Sequence, residues 1–213
     1  MKVEIWSDVV CPWCYVGKRR FEAALARFPH AEEVEVVWKS FELDPEAPVR
    51  RGSTAEHLAR KYGLTMEQVA AMHERMEKLA AAEGLEYHLD ETKGGNTLDA
   101  HRLLHLAKEH GLQGEMKERL LRAYFTEGEP AAERDVLVRL TDEVGVPDAA
   151  EVLASDAFTD DVRADEHESR LLGIAAVPFF VIDRYYGIEG AQSADVILDA
   201  LTQAVVPDTP RVA

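Results

Sequence analysis

Val3 and Ile5 fall at alternate positions among Lys2, Glu4 and Trp6, a period-two pattern that predicts a strand over residues 2–6 and stops at Ser7-Asp8. After Cys11 the spacing becomes helical. Val16, Phe21, Ala24, Leu25 and Phe28 return at helix intervals between charged residues until Pro29 ends the pattern, which predicts an amphipathic helix of about four turns. Residues 34–41 are β-branched and aromatic enough for a second strand, broken by Asp44-Pro45 and Ala47-Pro48. The opening therefore reads β-α-β.

From Ser53 to Gly173 the pattern predicts about six helices in succession. Ser53-x-x-Glu56, Thr65-x-x-Gln68 and Asp148-x-x-Glu151 have the spacing of N-terminal caps. Gly63, Gly84, Gly111, Gly145 and Gly173 stand where helices close through a left-handed residue. No fixed period repeats, which excludes a solenoid. Beyond Gly173 the strand pattern returns in residues 178–182, turns at Asp183-Arg184 and predicts a hairpin partner over 185–188. Ser193 then caps a last helix carrying Val196, Ile197, Leu201 and Val205, stopped by Pro207 and followed by a frayed tail. The fold class is α/β: a sheet domain built from residues 1–52 and 174–213, interrupted by an all-helical domain over 53–173.

Composition narrows the function. With 213 residues, 46% apolar and 30% charged, the chain has globular composition and enough length to bury a core without cross-links. Forty acidic against 24 basic residues give a net charge of −16, a poor match to nucleic acid or an anionic membrane. Glu4 and Asp8 interrupt any secretory apolar stretch, and no run of about 18 apolar residues occurs, so the expected compartment is the cytoplasm. Thiols stay reduced there, and a close cysteine pair is then catalytic or metal-binding in preference to a static staple.

Cys11-Pro12-Trp13-Cys14 lies where the first strand meets the first helix. A sulfur at a helix start faces unsatisfied N–H groups and the positive end of the macrodipole, which favour the nucleophilic thiolate. Pro12 suits a first turn, and Cys14 is near enough to attack a mixed disulfide on Cys11. Lys18, Arg19, Arg20 and Arg27 make this stretch locally positive, a smaller influence in the same direction. Together with His101 and His105 the pair nominally forms a zinc ligand set, but 86 intervening residues are far more than zinc motifs usually span, and the histidines share a helix face as surface or helix-packing residues would. No metal and no cofactor are expected. Val177-Pro178 opens an apolar strand, where proline marks an edge or a tight turn, and a cis bond there would free Val177 backbone groups for an extended peptide.

Ser7-Asp-Val-Val-Cys-Pro-Trp-Cys-Tyr-Val-Gly-Lys18, Asn96-Thr-Leu-Asp-Ala-His-Arg-Leu103, Val177-Pro-Phe-Phe-Val-Ile182 and Gly187-Ile-Glu-Gly-Ala-Gln192 together resemble the DsbA family of thiol-disulfide oxidoreductases, in its cytoplasmic FrnE-like branch. The resemblance implies a thioredoxin-like fold with a helical insertion. It makes Cys11 the exposed nucleophile and Cys14 the resolving thiol, with Pro12, Trp13, Val177 and a cis Pro178 beside the substrate. Partners would be protein thiols and disulfides or glutathione. The Asn96–Arg102 stretch is read either as helix capping by Asn96 or Thr97 or as a face near the site. Two departures matter: the hairpin lacks the customary glycine, and Pro-Trp replaces the Pro-His of periplasmic DsbA. The expected activity is thiol-disulfide exchange with protein or small-thiol substrates through the C-P-W-C pair, as a protein disulfide oxidoreductase or isomerase, with the direction left open between oxidation, isomerisation and reduction. Glutathione-dependent isomerases and kappa-class transferases share the fold but usually carry Ser in place of Cys11 and lack the second cysteine. A non-enzymatic reading makes the helical block a partner-binding surface, with an ordinary thiol pKa near about 8.5.

Overall fold

A computed structural model describes residues 1–49 and 52–205. Strand β1 (Lys2–Ser7) is central in a four-stranded sheet of order β2-β1-β5-β6. It pairs in parallel with β2 (Glu35–Ser40) and antiparallel with β5 (Phe179–Ile182), which turns back into β6 (Tyr186–Glu189). The strand boundaries fall within a residue of those predicted. Val3 and Ile5 enter a cluster with Phe180, Ile182, Ile197 and Leu201, while Trp6 faces the opposite side with Cys11, Cys14 and Val181. This is the alternation expected of a strand covered on both faces.

Helix α1 (Pro12–Leu25) connects β1 to β2, and α9 (Ala194–Val205) packs beside it. Phe21 and Ala24 of α1 join the sheet cluster, whereas Tyr15 and Val16 join a second cluster with the helical block. One helix thus carries two interfaces. It ends three residues before Phe28, which remains buried in the sheet cluster. The tail and the stop at Pro207 lie outside the described residues. Ser193 caps α9, accepting the Val196 N–H at 3.3 Å; Ile197 and Leu201 are buried, but Val196 and Val205 are exposed.

Between the sheet segments come seven described helices, one more than the predicted count: α2 (Thr54–Tyr62), α3 (Met66–Ala82), α4 (Leu98–Glu109), α5 (Gln113–Phe125), α6 (Arg134–Val144), α7 (Ala149–Ala154) and α8 (Thr159–Leu171). A two-stranded ribbon, β3 (Gly52–Ser53) with β4 (Lys93–Gly94), was not predicted, since two residues are too few to show a period. Ser53 caps α2, and Thr65 with Gln68 completes a reciprocal capping box on α3. The Asp148 cap fails: that residue sits at φ +66° and its side chain makes no cap hydrogen bond. A left-handed backbone carries the carboxylate away from the N3 amide that an extended N-cap would reach.

The hairpin's turn, which contains no glycine, is held by side chains. Asp183 and Arg184 take φ +47° and +64°, a conformation that costs non-glycine residues energy. Asp183 Oδ1 accepts the Lys2 N–H at 2.6 Å, and Arg184 pairs with Glu168 and with the buried carboxylate of Glu4, its Nη2 donating at 2.9 Å. Those bonds offset the backbone cost.

The cationic stretch of α1 is also changed by tertiary contacts. Lys18 and Arg19 pair with Glu22 and Glu118, Arg20 with Glu83 and Arg27 with Asp195. The expected local positive charge is therefore neutralised, because charges distant in sequence are folded against it. Glu118 of α5 accepts from Lys18 Nζ at 2.5 Å, from the Tyr15 hydroxyl at 2.7 Å and from Arg19. Burial opposes its charge, but these donors hold its carboxyl down at about 2. Its contribution to stability is full above the ordinary value of 4.5 and is lost as pH falls toward 2. Glu118→Gln should lower the unfolding free energy by about 1–2 kcal/mol at neutral pH, a figure reduced for partial exposure. Urea unfolding should show the difference shrinking below pH 4.5 and vanishing near pH 2; a constant difference would count against this account.

Candidate active site

Cys11 is the N-cap of α1, with Pro12 at the first helical position, as the sequence predicts. It keeps an extended backbone (φ −92°, ψ 113°), and its carbonyl accepts the Cys14 N–H at 3.0 Å as the helix begins. The sulfur makes no capping bond with the helix amides. As a thiol, Cys11 Sγ instead points at the Val177 carbonyl, 3.6 Å away. The Val177-Pro178 bond is cis, and the loop that carries it lies across from the cysteine pair. Trp13 is exposed and Pro12 half-buried. The six residues singled out by sequence thus form one locus.

Cys11 differs from expectation in one respect. The resemblance implied an exposed nucleophile, but the residue is only 4% exposed and Cys14 only 1%. Both pack with Trp6, Ile174, Val177 and Val181, because the 174–178 loop closes on the helix start. The sulfurs are not joined. Burial, and then the neighbouring Cys11, push the Cys14 thiol well above its ordinary value.

Charged groups buried around the pair were not identified from sequence. Asp8, fully buried, accepts the Leu43 N–H at 2.8 Å and faces His101 Nε2 at 3.3 Å. Burial works against the Asp8 charge, yet His101, the Leu43 amide and Lys117 keep its carboxyl below the usual range. Burial pushes the His101 imidazole down, which leaves it neutral and donating to the carboxylate. Lys117, on α5, is also fully buried; its Nζ donates to the Ser7 carbonyl at 3.4 Å and lies 5.6 Å from the Trp38 ring centre. Desolvation brings this ammonium down to about 8, although Cys14 and Asp8 both favour its charge. A signal for Lys117 exists in the sequence: it falls in the buried stripe Gln113, Met116, Lys117, Leu120, Leu121 of α5, where a lysine is out of place.

Two uncharged residues complete the frame. Tyr87 donates its hydroxyl to the Pro12 carbonyl at 2.8 Å, pinning the helix start to the helical block. Gly17 meets the proline loop: a Cβ built there would lie 2.7 Å from Pro178 Cγ. Both readings of residues 96–102 hold in part. Asn96 Oδ1 accepts the Leu98 N–H at 2.9 Å at the start of α4, although Thr97 makes no side-chain cap bond. One turn later His101 reaches Asp8, while Arg102 binds the carbonyls of Val152, Ser155 and Ala157. His105 bonds Ser40 Oγ at 3.1 Å and Asp165 at 3.2 Å, and among the described residues no His, Cys, Asp and Glu group could hold a metal.

Comparison with known proteins places this geometry. The family described as DSBA-like thioredoxin domain matches residues 2–202. The uncharacterized protein YwbO of Bacillus subtilis is 30% identical over 204 residues, covering 94% of this chain and 95% of the relative. The crystal structure of a probable DsbA oxidoreductase from Streptomyces coelicolor superposes with a TM-score of 0.93 at 46% identity, over 100% of this chain and 93% of that one. Cytosolic disulfide reductase DsbM of Pseudomonas aeruginosa, also solved with GSH, shares the fold at a TM-score of 0.66 and 20% identity, over 95% and 98%.

Gly17 supplies a direct test of the packing. Glycine to alanine inside a helix ordinarily gains about 1 kcal/mol, but here the added methyl meets the proline ring. Gly17→Ala should therefore be less stable than the natural protein by about 1–3 kcal/mol in urea unfolding. A gain in stability would mean that the loop does not press on the helix.

Proposed function

The chain belongs to the DSBA-like thioredoxin domain family, and from that premise we propose that it exchanges disulfides through Cys11 and Cys14. The observation that supports the reading is geometric: Cys11 caps the amino end of α1, Cys14 lies one turn on in the same buried cluster, and the Val177 carbonyl of the cis-proline loop faces the Cys11 sulfur at 3.6 Å. In the reducing direction the Cys11 thiolate attacks one sulfur of a substrate disulfide. That S–S bond breaks, one substrate thiolate leaves with the electron pair, and a mixed disulfide forms. Cys14 then loses its proton and attacks the Cys11 sulfur, releasing the second thiolate and closing the Cys11–Cys14 bond. Two electrons pass from the dithiol to the substrate, and oxidation of substrate dithiols is the reverse. The Val177 carbonyl and Pro178 flank the attacked sulfur, with Trp13 and Pro12 forming its exposed shoulder.

Lys117 is the positioning residue for the resolving step. With its ammonium at about 8, the side chain exists partly as a free amine near neutrality, fully buried and within electrostatic range of Cys14, and is the proposed acceptor of the Cys14 proton. Asp8 keeps a compensating negative charge beside it. Protein disulfides and glutathione are the proposed partners, the FrnE-like branch the proposed subgroup and the cytoplasm the proposed compartment; residues 53–173 are the proposed inserted domain. Among the described residues no helix is long and apolar enough to cross a membrane. The second cysteine tells against a glutathione-dependent isomerase or transferase.

Replacing Cys11 with Ser should abolish exchange, and Cys14→Ser should accumulate a mixed disulfide detectable by mass spectrometry. Brief treatment of the native reduced protein with iodoacetamide should label Cys11 well before Cys14; no labelling of Cys11 without denaturant would remove the basis for the activity. For Lys117→Met, the rate of mixed-disulfide resolution should fall about 10-fold or more at pH 7. In the unaltered protein that rate should rise through pH 8 as the amine is freed, an inflection that Lys117→Met should lack. An unchanged pH profile would reduce Lys117 to a packing residue.

A further inference from the structure

A cavity of about 810 Å³ opens beside the helix start. Val10 and Pro12, the two residues flanking Cys11, form one wall with Trp13, and the opposite walls come from α2, α3 and α5. Its size lies in the range of small-molecule sites. The inner surface is supplied by Leu58, Met72, Met76, Leu79, Leu89 and Phe125. Trp13, Leu43 and Tyr62 at its edge are 44%, 46% and 61% exposed, so apolar surface stands uncovered beside Pro12 and Trp13, the residues between the two cysteines.

Most of the polar groups that line it are already engaged. Thr54 Oγ1 and the Tyr124 hydroxyl bond each other at 2.9 Å, His73 bonds Asp90 at 2.9 Å, and Thr92 Oγ1 donates to the Leu89 carbonyl at 2.7 Å. Arg75 stands exposed and donates Nε to the Ala71 carbonyl. A polypeptide entering here would bring N–H and C=O groups that need partners, whereas a hydrocarbon or aromatic group needs none.

We infer that this cavity is a further substrate-selecting site of the exchange reaction, and that beside the partners proposed above it takes the uncharged aromatic substituent of a small-molecule disulfide or thiol whose sulfur reacts at Cys11. The inference rests on the exchange reading above and names its substrate class. Reduced protein and the disulfide R–S–S–R give the Cys11–Cys14 disulfide and two R–SH; in the mixed disulfide, the group R still attached through sulfur to Cys11 occupies the cavity while Cys14 attacks.

The test compares second-order rates of oxidation of the reduced full chain by three disulfides: bis[2-(4-hydroxyphenyl)ethyl] disulfide, bis(2-hydroxyethyl) disulfide and glutathione disulfide. The first two share an alkyl leaving sulfur, so their ratio isolates recognition of the ring. The aromatic compound should react about 10-fold or more faster than the hydroxyethyl compound. Met72→Trp or Leu58→Trp, either of which projects bulk into open space, should reduce that ratio toward one; two variants guard against one failing to fold. Equal rates for all three disulfides would overturn the cavity inference and leave the exchange reading standing. No reaction with any of them would overturn both. Faster oxidation by a phenylalanine-flanked peptide disulfide than by the aromatic compound, abolished by the same variants, would assign the cavity to polypeptide and overturn the small-molecule substrate class.

Discussion

Asp8 is a carboxylate with no access to water, one residue past β1 and three before Cys11, and the structure around it is arranged to keep it charged. An isolated buried charge is costly, so each donor must come from somewhere in the chain. The Leu43 amide comes from the segment after β2, His101 from α4, and the electrostatic support of Lys117 from α5. Three distant segments therefore meet at the residue that leads into the cysteine pair. The sheet and the helical block are joined there by charge as well as by apolar contact, and the same arrangement buries Lys117, its ammonium brought down to about 8, within electrostatic range of Cys14.

Helix α1 transmits that constraint. Its first turn is gripped by the Tyr87 hydroxyl, its Tyr15 and Val16 face the helical cluster, and its Phe21 and Ala24 face the sheet. Gly17, between these sets, lets the Pro178 ring approach the helix. The loop carrying the Val177 carbonyl can then lie over Cys11, which explains both the thiol contact and the low exposure of the sulfur. Burial of this kind keeps water from the two sulfurs.

Cation placement shows why local sequence misleads about electrostatics. Lys18, Arg19, Arg20 and Arg27 are close to the cysteines in sequence, and their sum is positive. In the folded chain, carboxylates from α3, α5 and α9 as well as Glu22 are folded against them. The cation that matters to Cys14 is Lys117, more than 100 residues away. Coulomb interactions depend on distance and dielectric, and neither follows from position along the chain.

Local chemistry determined a good deal. Period-two and helix-period patterns located the sheet strands, α1 and the helical run, because side-chain alternation and helical recurrence are properties of a few consecutive residues. The caps at Ser53 and Thr65 and the thiol at a helix start were legible for the same reason, and the cis proline followed from resemblance. The failed Asp148 cap, the β3–β4 ribbon and the seventh helix depended on backbone conformations and pairings that short patterns do not specify. Asp8 and His101 lay in quoted stretches, yet their bond could not be read from them, since α4 must first be packed beside the end of β1. The two sulfurs and their position were written in the chain. The groups that hold protons around them, the depth of their burial and the apolar cavity beside them were decided by tertiary structure, because each is a sum of contacts from several segments and no one segment contains it.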